Sequence, residues 1–250
     1  MLEKYLDRIG YDGTRELTRE NLFRLQYCHL HTIPYENFDI RRDVEFDLEI
    51  EHVLDKIVKR RRGGYCFELN GAFTWLLRSF GYDVTEYFGR FLRNKEHDIP
   101  MRRHRVLRVE LPEGSYICDV GVGGSCPTYP LKLIESIPQD SGDTEYRFRR
   151  DDIFGWVIEE KTSRGWEDYY CFTEEKQYDI DFVSVDYYCQ RHPNSFFRQS
   201  DMACIKTEDG RFTISGDEFK IFSGDSVYTE IMETEERKAE VRKIYFGIEF

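Results

Sequence analysis

The hydrophobic period of this chain changes near Gly81, and that change divides the fold. Up to Gly81 the apolar residues recur at helical spacing, whereas from Val84 they fall in short β-branched and aromatic runs between turn signals. Leu2, Tyr5, Leu6 and Ile9 make a first short stripe. Thr18 caps a second helix that carries Leu22, Leu25 and Cys28 and closes at Pro34. A third runs from about Asp47, with Val53, Ile57 and Val58 inward, to a break at Gly63-Gly64. A fourth opens at Cys66 and stops at Gly81, with Phe67, Phe73, Leu76, Leu77 and Phe80 as its apolar marks. Strands are expected at 84–88, 106–111, 116–120, 146–149 and 166–172. A short helix near Asp181, strands at 203–206, 212–215 and 219–222, and a charged helix from Glu230 to Tyr245 finish the pattern. The expected units are therefore helices over 1–80, an antiparallel β section over 81–190, and an α/β segment over 191–250.

Charge narrows the partners. The net charge of -12 argues against nucleic acid and anionic membranes, which select clustered Lys and Arg. An anionic small molecule stays open, because Lys59-Arg60-Arg61-Arg62 or the group Arg102, Arg103 and Arg105 can build a local cationic pocket. The seven cysteines include no CxxC pair and no zinc-ligand spacing, so no metal is expected and free thiols in a reducing cytoplasm are. The first residues lack a signal-peptide core, and no apolar run is long enough to cross a membrane. The oligomeric state is not legible.

Cys66 is the residue with the sharpest chemistry. It follows Gly63-Gly64-Tyr65 and opens a helix, where unpaired N–H groups and the helix dipole favour thiolate over thiol. His104 begins one strand and Asp119 ends the next, entering the loop Gly121, Val122, Gly123, Gly124, Ser125. A cysteine, a histidine and a carboxylate from separate elements are the parts of an activated thiol nucleophile. His97 competes with His104 but lacks the following Val-Leu-x-Val strand. Cys118 and Cys189 sit among large apolar residues and read as core. The glycine loop can bring N–H groups to a pyrophosphate.

The run Arg61-Arg62-Gly63-Gly64-Tyr65-Cys66-Phe67-Glu68-Leu69-Asn70 resembles the signature of the arylamine N-acetyltransferases. Four further segments resemble motifs of that family in the same order. They are Tyr5 to Tyr11, His29 to Phe38, His104 to Val109 and Cys118 to Gly124, and Pro130-Leu131-Lys132-Leu133 matches as well. The resemblance is weakest in the last third. It implies an α+β fold with an N-terminal helical bundle, a central antiparallel β-barrel and a C-terminal α/β lid, built around a cysteine-protease-like catalytic core. It implies a catalytic triad of Cys66, His104 and Asp119, supported by Arg8, Glu36 and Arg62. It also implies acetyl-CoA as acyl donor, with no metal, and an arylamine, arylhydrazine or arylhydroxylamine as acceptor, by a two-step transfer through acetyl-cysteine.

For CoA the expected contacts are Gly121, Gly123, Gly124 and Ser125. Tyr35, Phe38, Tyr65 and Val122 offer ring-sized apolar surface for the acceptor. Val122 stands where the family often has an aromatic residue. Backbone N–H groups near Cys66 are the expected oxyanion donors. The same triad also serves cysteine hydrolases and amide synthases, and a non-catalytic binding protein is the third alternative.

Overall fold

Helices occupy the chain as far as Phe80. In the computed structural model, which describes residues 1–93 and 99–250, these are α1 (Leu2–Ile9), α2 (Arg19–Leu30), α3 (Phe38–Arg41), α4 (Ile50–Leu54) and α5 (Cys66–Phe80). His97 lies outside the described residues. Thr18 caps α2 as expected, accepting from Asn21 N at 3.2 Å. The third helix differs from expectation. Asp47 accepts from Glu49 N at 3.0 Å and makes a turn there, so α4 starts only at Ile50. The chain then widens into a π-turn over Asp55–Lys59. Arg61 takes a left-handed conformation (φ 55°), which ends the helical run before the glycines.

Gly63 and Gly64 are extended, and what Gly63 supplies is close approach. A Cβ on Gly63 would stand 2.0 Å from Pro34 O. That tight contact straps the segment entering α5 to β1 (Tyr35–Glu36), with Glu36 N donating to Gly64 O at 2.8 Å.

The β section is β2 (Asp83–Phe91), β3 (His104–Leu111), β4 (Gly114–Cys118), β5 (Leu131–Lys132), β6 (Gln139–Asp140), β7 (Glu145–Asp151), β8 (Gly155–Thr162) and β9 (Gly165–Phe172). They form one antiparallel sheet in the order β5-β4-β3-β2-β9-β8-β7-β6. The Gln139 amide joins its two ends, accepting from Lys132 N at 2.7 Å and donating to Lys132 O at 2.9 Å, so the sheet curls into a nearly closed barrel.

After α6 (Asp179–Arg191) come β10 (Met202–Thr207), β11 (Gly210–Ser215), β12 (Glu218–Ser223), β13 (Ser226–Ile231) and α7 (Glu235–Phe246). The sheet order β1-β10-β11-β12-β13 draws one strand from the N-terminal segment. The final helix starts later than Glu230. Val227, Thr229 and Ile231 favour a strand, and Thr234 caps α7 by accepting from Arg237 N at 3.2 Å.

Two cores result. The larger spans the helices and the barrel and includes Cys66, while the smaller joins Phe38, Ile214, Phe219, Val241 and Phe246 between the second sheet and α7.

Candidate active site

Three elements deliver three side chains to one buried place. Cys66 is the first residue of α5, His104 the first of β3, and Asp119 follows β4. All three are buried. His104 Nε2 lies 2.6 Å from Asp119 Oδ2. The imidazole packs against Phe91 and Tyr170, with ring centroids 4.7 and 5.3 Å away and the rings tilted to it. Its Nδ1 is buried with no hydrogen-bond partner among the described residues. The Cys66 thiol donates to the carbonyl of Arg103, one residue before His104, at 3.5 Å.

Asn70, one turn along α5 from Cys66, ties the parts together. Its Nδ2 donates to Asp119 Oδ1 at 2.9 Å and to Arg105 O at 2.7 Å, and its Oδ1 accepts from Val120 N at 2.9 Å. Gly121 N gives Asp119 Oδ1 a second donor at 2.9 Å. Gln26 on α2 accepts from Asp119 N at 3.1 Å and donates to Pro127 O at 3.2 Å. Reasoning from sequence passed over both amides. Asn70 had a signal, since i and i+4 share a helix face; Gln26 had none.

Burial opposes one electrostatic expectation. A helix N-terminus by itself lowers a thiol pKa, but desolvation pushes the Cys66 thiol well up, and Cys189 and Asp119 add to the rise. Arg103 and the Phe67 N–H pull the other way without overcoming it. Burial thus favours the thiol over the thiolate at Cys66.

A charged cluster anchors the start of α5. Arg62 pairs with Glu36 at 2.7 Å and Asp39 at 2.9 Å, and Lys56 with Asp39 and Glu68, both at 2.8 Å. Glu68 Oε2 also accepts from Tyr65 N at 3.1 Å, capping the helix. Burial pushes Glu68 up to about 7 against the pull of Lys56. Lys56 stays charged: burial opposes it, but Glu68, Glu36 and Asp39 together hold its pKa above the ordinary lysine value. Arg8 does not join this cluster. Its Nη2 donates to Arg61 O at 3.3 Å, and burial, with Arg61 alongside, pulls its guanidinium down to about 10.

The remaining expected residues divide. Tyr35, Tyr65 and Val122 share the larger core with Cys66, but Phe38 packs in the smaller one, its ring 5.8 Å from that of Phe250. Tyr65 donates its hydroxyl to Asp186 on α6.

In the glycine loop, a Cβ on Gly121 would stand 2.8 Å from Cys66 Cα, and one on Gly123 would stand 2.5 Å from the Tyr35 ring. Those two glycines serve close packing, and the Gly121 N–H is already used. Ser125 Oγ accepts from Arg93 at 2.9 Å and donates to Glu160 at 3.2 Å. Gly124 alone faces open space. Of the arginines expected to attract an anion, Arg105 is buried and pairs with Glu86 and Asp179, and Arg102 pairs with Glu175. Arg103 is half-buried and stacks its guanidinium on Phe196 and Phe197. No cluster of metal-ligating side chains occurs among the described residues.

The sequence profile of a family described as N-acetyltransferase matches residues 18–250. A relative from Escherichia coli, an arylamine N-acetyltransferase, is 34% identical over 84% of this chain and 74% of its own. The arylamine N-acetyltransferase of Mycobacterium bovis is 36% identical over 86% and 77%. This chain belongs to the arylamine N-acetyltransferase family. As such it is an acyltransferase. The solved arylamine N-acetyltransferase of Mycobacterium marinum in complex with CoA superposes with a TM-score of 0.93 at 32% identity, covering 99% of this chain and 93% of that one. That of Salmonella typhimurium gives 0.94 at 30% identity, covering 99% and 90%. The α+β architecture with its curled antiparallel sheet is that of the family. No helix among the described residues is long and apolar enough to cross a membrane.

Proposed function

We propose that this enzyme moves an acetyl group from acetyl-CoA to an arylamine, arylhydrazine or arylhydroxylamine in two half-reactions at Cys66. One observation carries the reading: His104 is bonded to Asp119 through Nε2 while its Nδ1 is unpartnered and Cys66 donates to the adjoining carbonyl. A turn of Sγ away from that carbonyl toward Nδ1 lets His104 take the thiol proton. The thiolate then attacks the thioester carbon. The new carbon–sulfur bond to Cys66 forms, the bond to the CoA sulfur breaks, and the imidazolium returns its proton to the departing thiolate. In the second half-reaction the amine nitrogen attacks the acetyl-cysteine, His104 takes the proton the nitrogen sheds, and the Cys66 sulfur leaves.

Asp119 stabilises the imidazolium in both steps. The Glu36–Arg62 pair holds the strap that aims α5, and Arg8 braces it at Arg61. For CoA, Gly124 offers the part of the loop with open space, and Arg103 supplies positive charge near Cys66. Tyr35, Tyr65 and Val122 wall the acceptor's ring. Seven cysteines without a disulfide support a reducing cytoplasm as the setting.

Mass spectrometry after mixing with acetyl-CoA tests the reading. One acetyl group should appear on Cys66 and leave when an arylamine is added. Cys66→Ala should acquire none, while Cys118→Ala should behave as the parent. An unmodified Cys66 overturns the proposal, and free acetate released without amine points to a hydrolase.

A further inference from the structure

A second concave site lies about 100° around α5 from the Cys66–Asn70 face. There α5, α6 and the segment entering α4 enclose a cavity of about 780 Å³, which has none of Cys66, His104 or Asp119 in its lining. That volume suits a small organic ligand. Its walls are largely apolar and aromatic, with Phe46, Trp75, Val183 and Tyr187 prominent. Val183 and Tyr187 leave 47% and 69% of their surface exposed, an unusual outlay of apolar area on one side of α6.

The polar groups define the ligand's charge. The wall's three guanidiniums are already paired, Arg78 and Arg105 with Glu86, and Arg191 with Glu45. Glu49 and Asp186 have no ion-pair partner among the described residues. Asp186 accepts hydrogen bonds from the Tyr65 hydroxyl and from Gln190 at 2.7 Å, both neutral donors, so its charge is solvated but not neutralised. A cation is the complement, and the aromatic wall adds cation–π attraction for it.

We propose that this cavity is a second ligand site, separate from the catalytic centre, for a protonated alkylamine with an aromatic or branched apolar body. The ammonium sits on Asp186 and the body lies against Phe46, Trp75 and Tyr187. Such a ligand is not an acceptor, because a protonated nitrogen has no lone pair to attack an acetyl-thioester. Asp186 also receives the hydroxyl of Tyr65, the residue before Cys66, so an occupant that draws on this carboxylate is felt at the start of the catalytic helix.

Asp186 faces Tyr65 ahead of α5, Gln190 on α6, Asp47 ahead of α4 and Lys56 in the π-turn. Burial pushes its pKa up to about 6, so the site loses its charge, and the ligand its partner, as pH falls through that value.

The test uses the full chain with Cys66 carbamidomethylated, which blocks the catalytic centre. Binding of 2-phenylethylammonium at pH 7.5 is measured by calorimetry, with 2-phenylethanol as the neutral control. A dissociation constant of about 1 mM or below is expected, with the alcohol at least about tenfold weaker. Asp186→Asn, which can still accept from Tyr65, should weaken the amine about tenfold. Val183→Trp fills the cavity from an exposed position and should abolish binding without lowering the melting temperature. Failure of the blocked protein to bind overturns the proposal. So does equal affinity for the alcohol, or binding that survives Val183→Trp.

Discussion

Replacing Asn70 with alanine isolates the part of the site that positions Asp119. The side chain is fully buried and makes three hydrogen bonds of 2.7, 2.9 and 2.9 Å, to Arg105 O, Asp119 Oδ1 and Val120 N. Truncation strands the Val120 N–H and weakens the hold on Arg105 O and Asp119. A buried polar group left unpaired costs about 1–3 kcal/mol. Asp119 keeps Gly121 N as a donor, so the total comes to roughly 2–5 kcal/mol rather than three full penalties. For a chain of this size each kcal/mol moves the melting temperature by about 2–4 °C, which gives a fall of roughly 4–20 °C.

The catalytic effect is separate, because loosening the loop lets Asp119 swing away from His104. A misplacement of about 1 Å lowers a rate about a hundredfold. Single-turnover acetylation of Cys66, followed by mass spectrometry at a temperature where the variant is folded, should slow by about that factor. The pH midpoint of Cys66 alkylation should also rise, which a merely structural loss would not produce. A folded variant with the parental acetylation rate and an unmoved midpoint would refute the reasoning, and would leave Gly121 N, with Gln26 on the Asp119 backbone, as sufficient to hold the residue.

Glu68→Gln tests the charged cluster through pH. The Glu68 pKa rises from its ordinary 4.5 to about 7 on folding, so the unfolded chain releases this proton first. Its contribution to stability is full below about 4.5 and is lost as pH rises to about 7. The difference in melting temperature between parent and variant, recorded from pH 4 to 8, should therefore move against the parent across that window; a flat difference contradicts the buried-carboxyl reading. Gly121→Ala should destabilise the protein and stop acetylation, because its Cβ meets Cys66 Cα at 2.8 Å, whereas Gly124→Ala meets nothing within 4 Å and should melt like the parent. If Gly124→Ala also leaves the Michaelis constant for acetyl-CoA untouched, the loop does not hold the donor. Val122→Phe should reorder the rates among small and bulky arylamines with little change in Cys66 acetylation, and the reverse pattern in stopped-flow assays would remove Val122 from the acceptor wall.

What was legible in the sequence was what local chemistry writes there. Thr18 before an apolar stripe marks a helix start, and Cys66, His104 and Asp119 each stand at the end of a periodic segment. Long-range pairings were not legible. Gln26 meets the Asp119 backbone from another helix, and Tyr35–Glu36 leaves the helical unit to pair with β10. That same excursion carries Phe38 into the second core. β8 was missed because its apolar Trp156-Val157-Ile158 is followed by two glutamates. In the barrel these are buried and matched, Glu159 to Arg147 at 2.6 Å and Glu160 to Tyr146 at 3.2 Å. β13 is mostly exposed, and its mixture of polar and apolar residues imitates the helix that follows.

On the proposed mechanism, burial explains why Cys66 acts with His104 and Asp119 rather than alone. An isolated Cys66 thiolate would be a bare charge out of water, and desolvation drives its pKa up accordingly. Passing the proton to His104 changes the accounting of charge. The thiolate and imidazolium appear together, so the net charge of the site does not change, and Asp119 already lies 2.6 Å from the ring nitrogen to receive the imidazolium. The burial that penalises each charge alone also strengthens their mutual attraction. The same logic assigns the amides their place. Asn70 and Gln26 carry no charge, yet Asn70 holds the Asp119 carboxylate and Gln26 its backbone N–H.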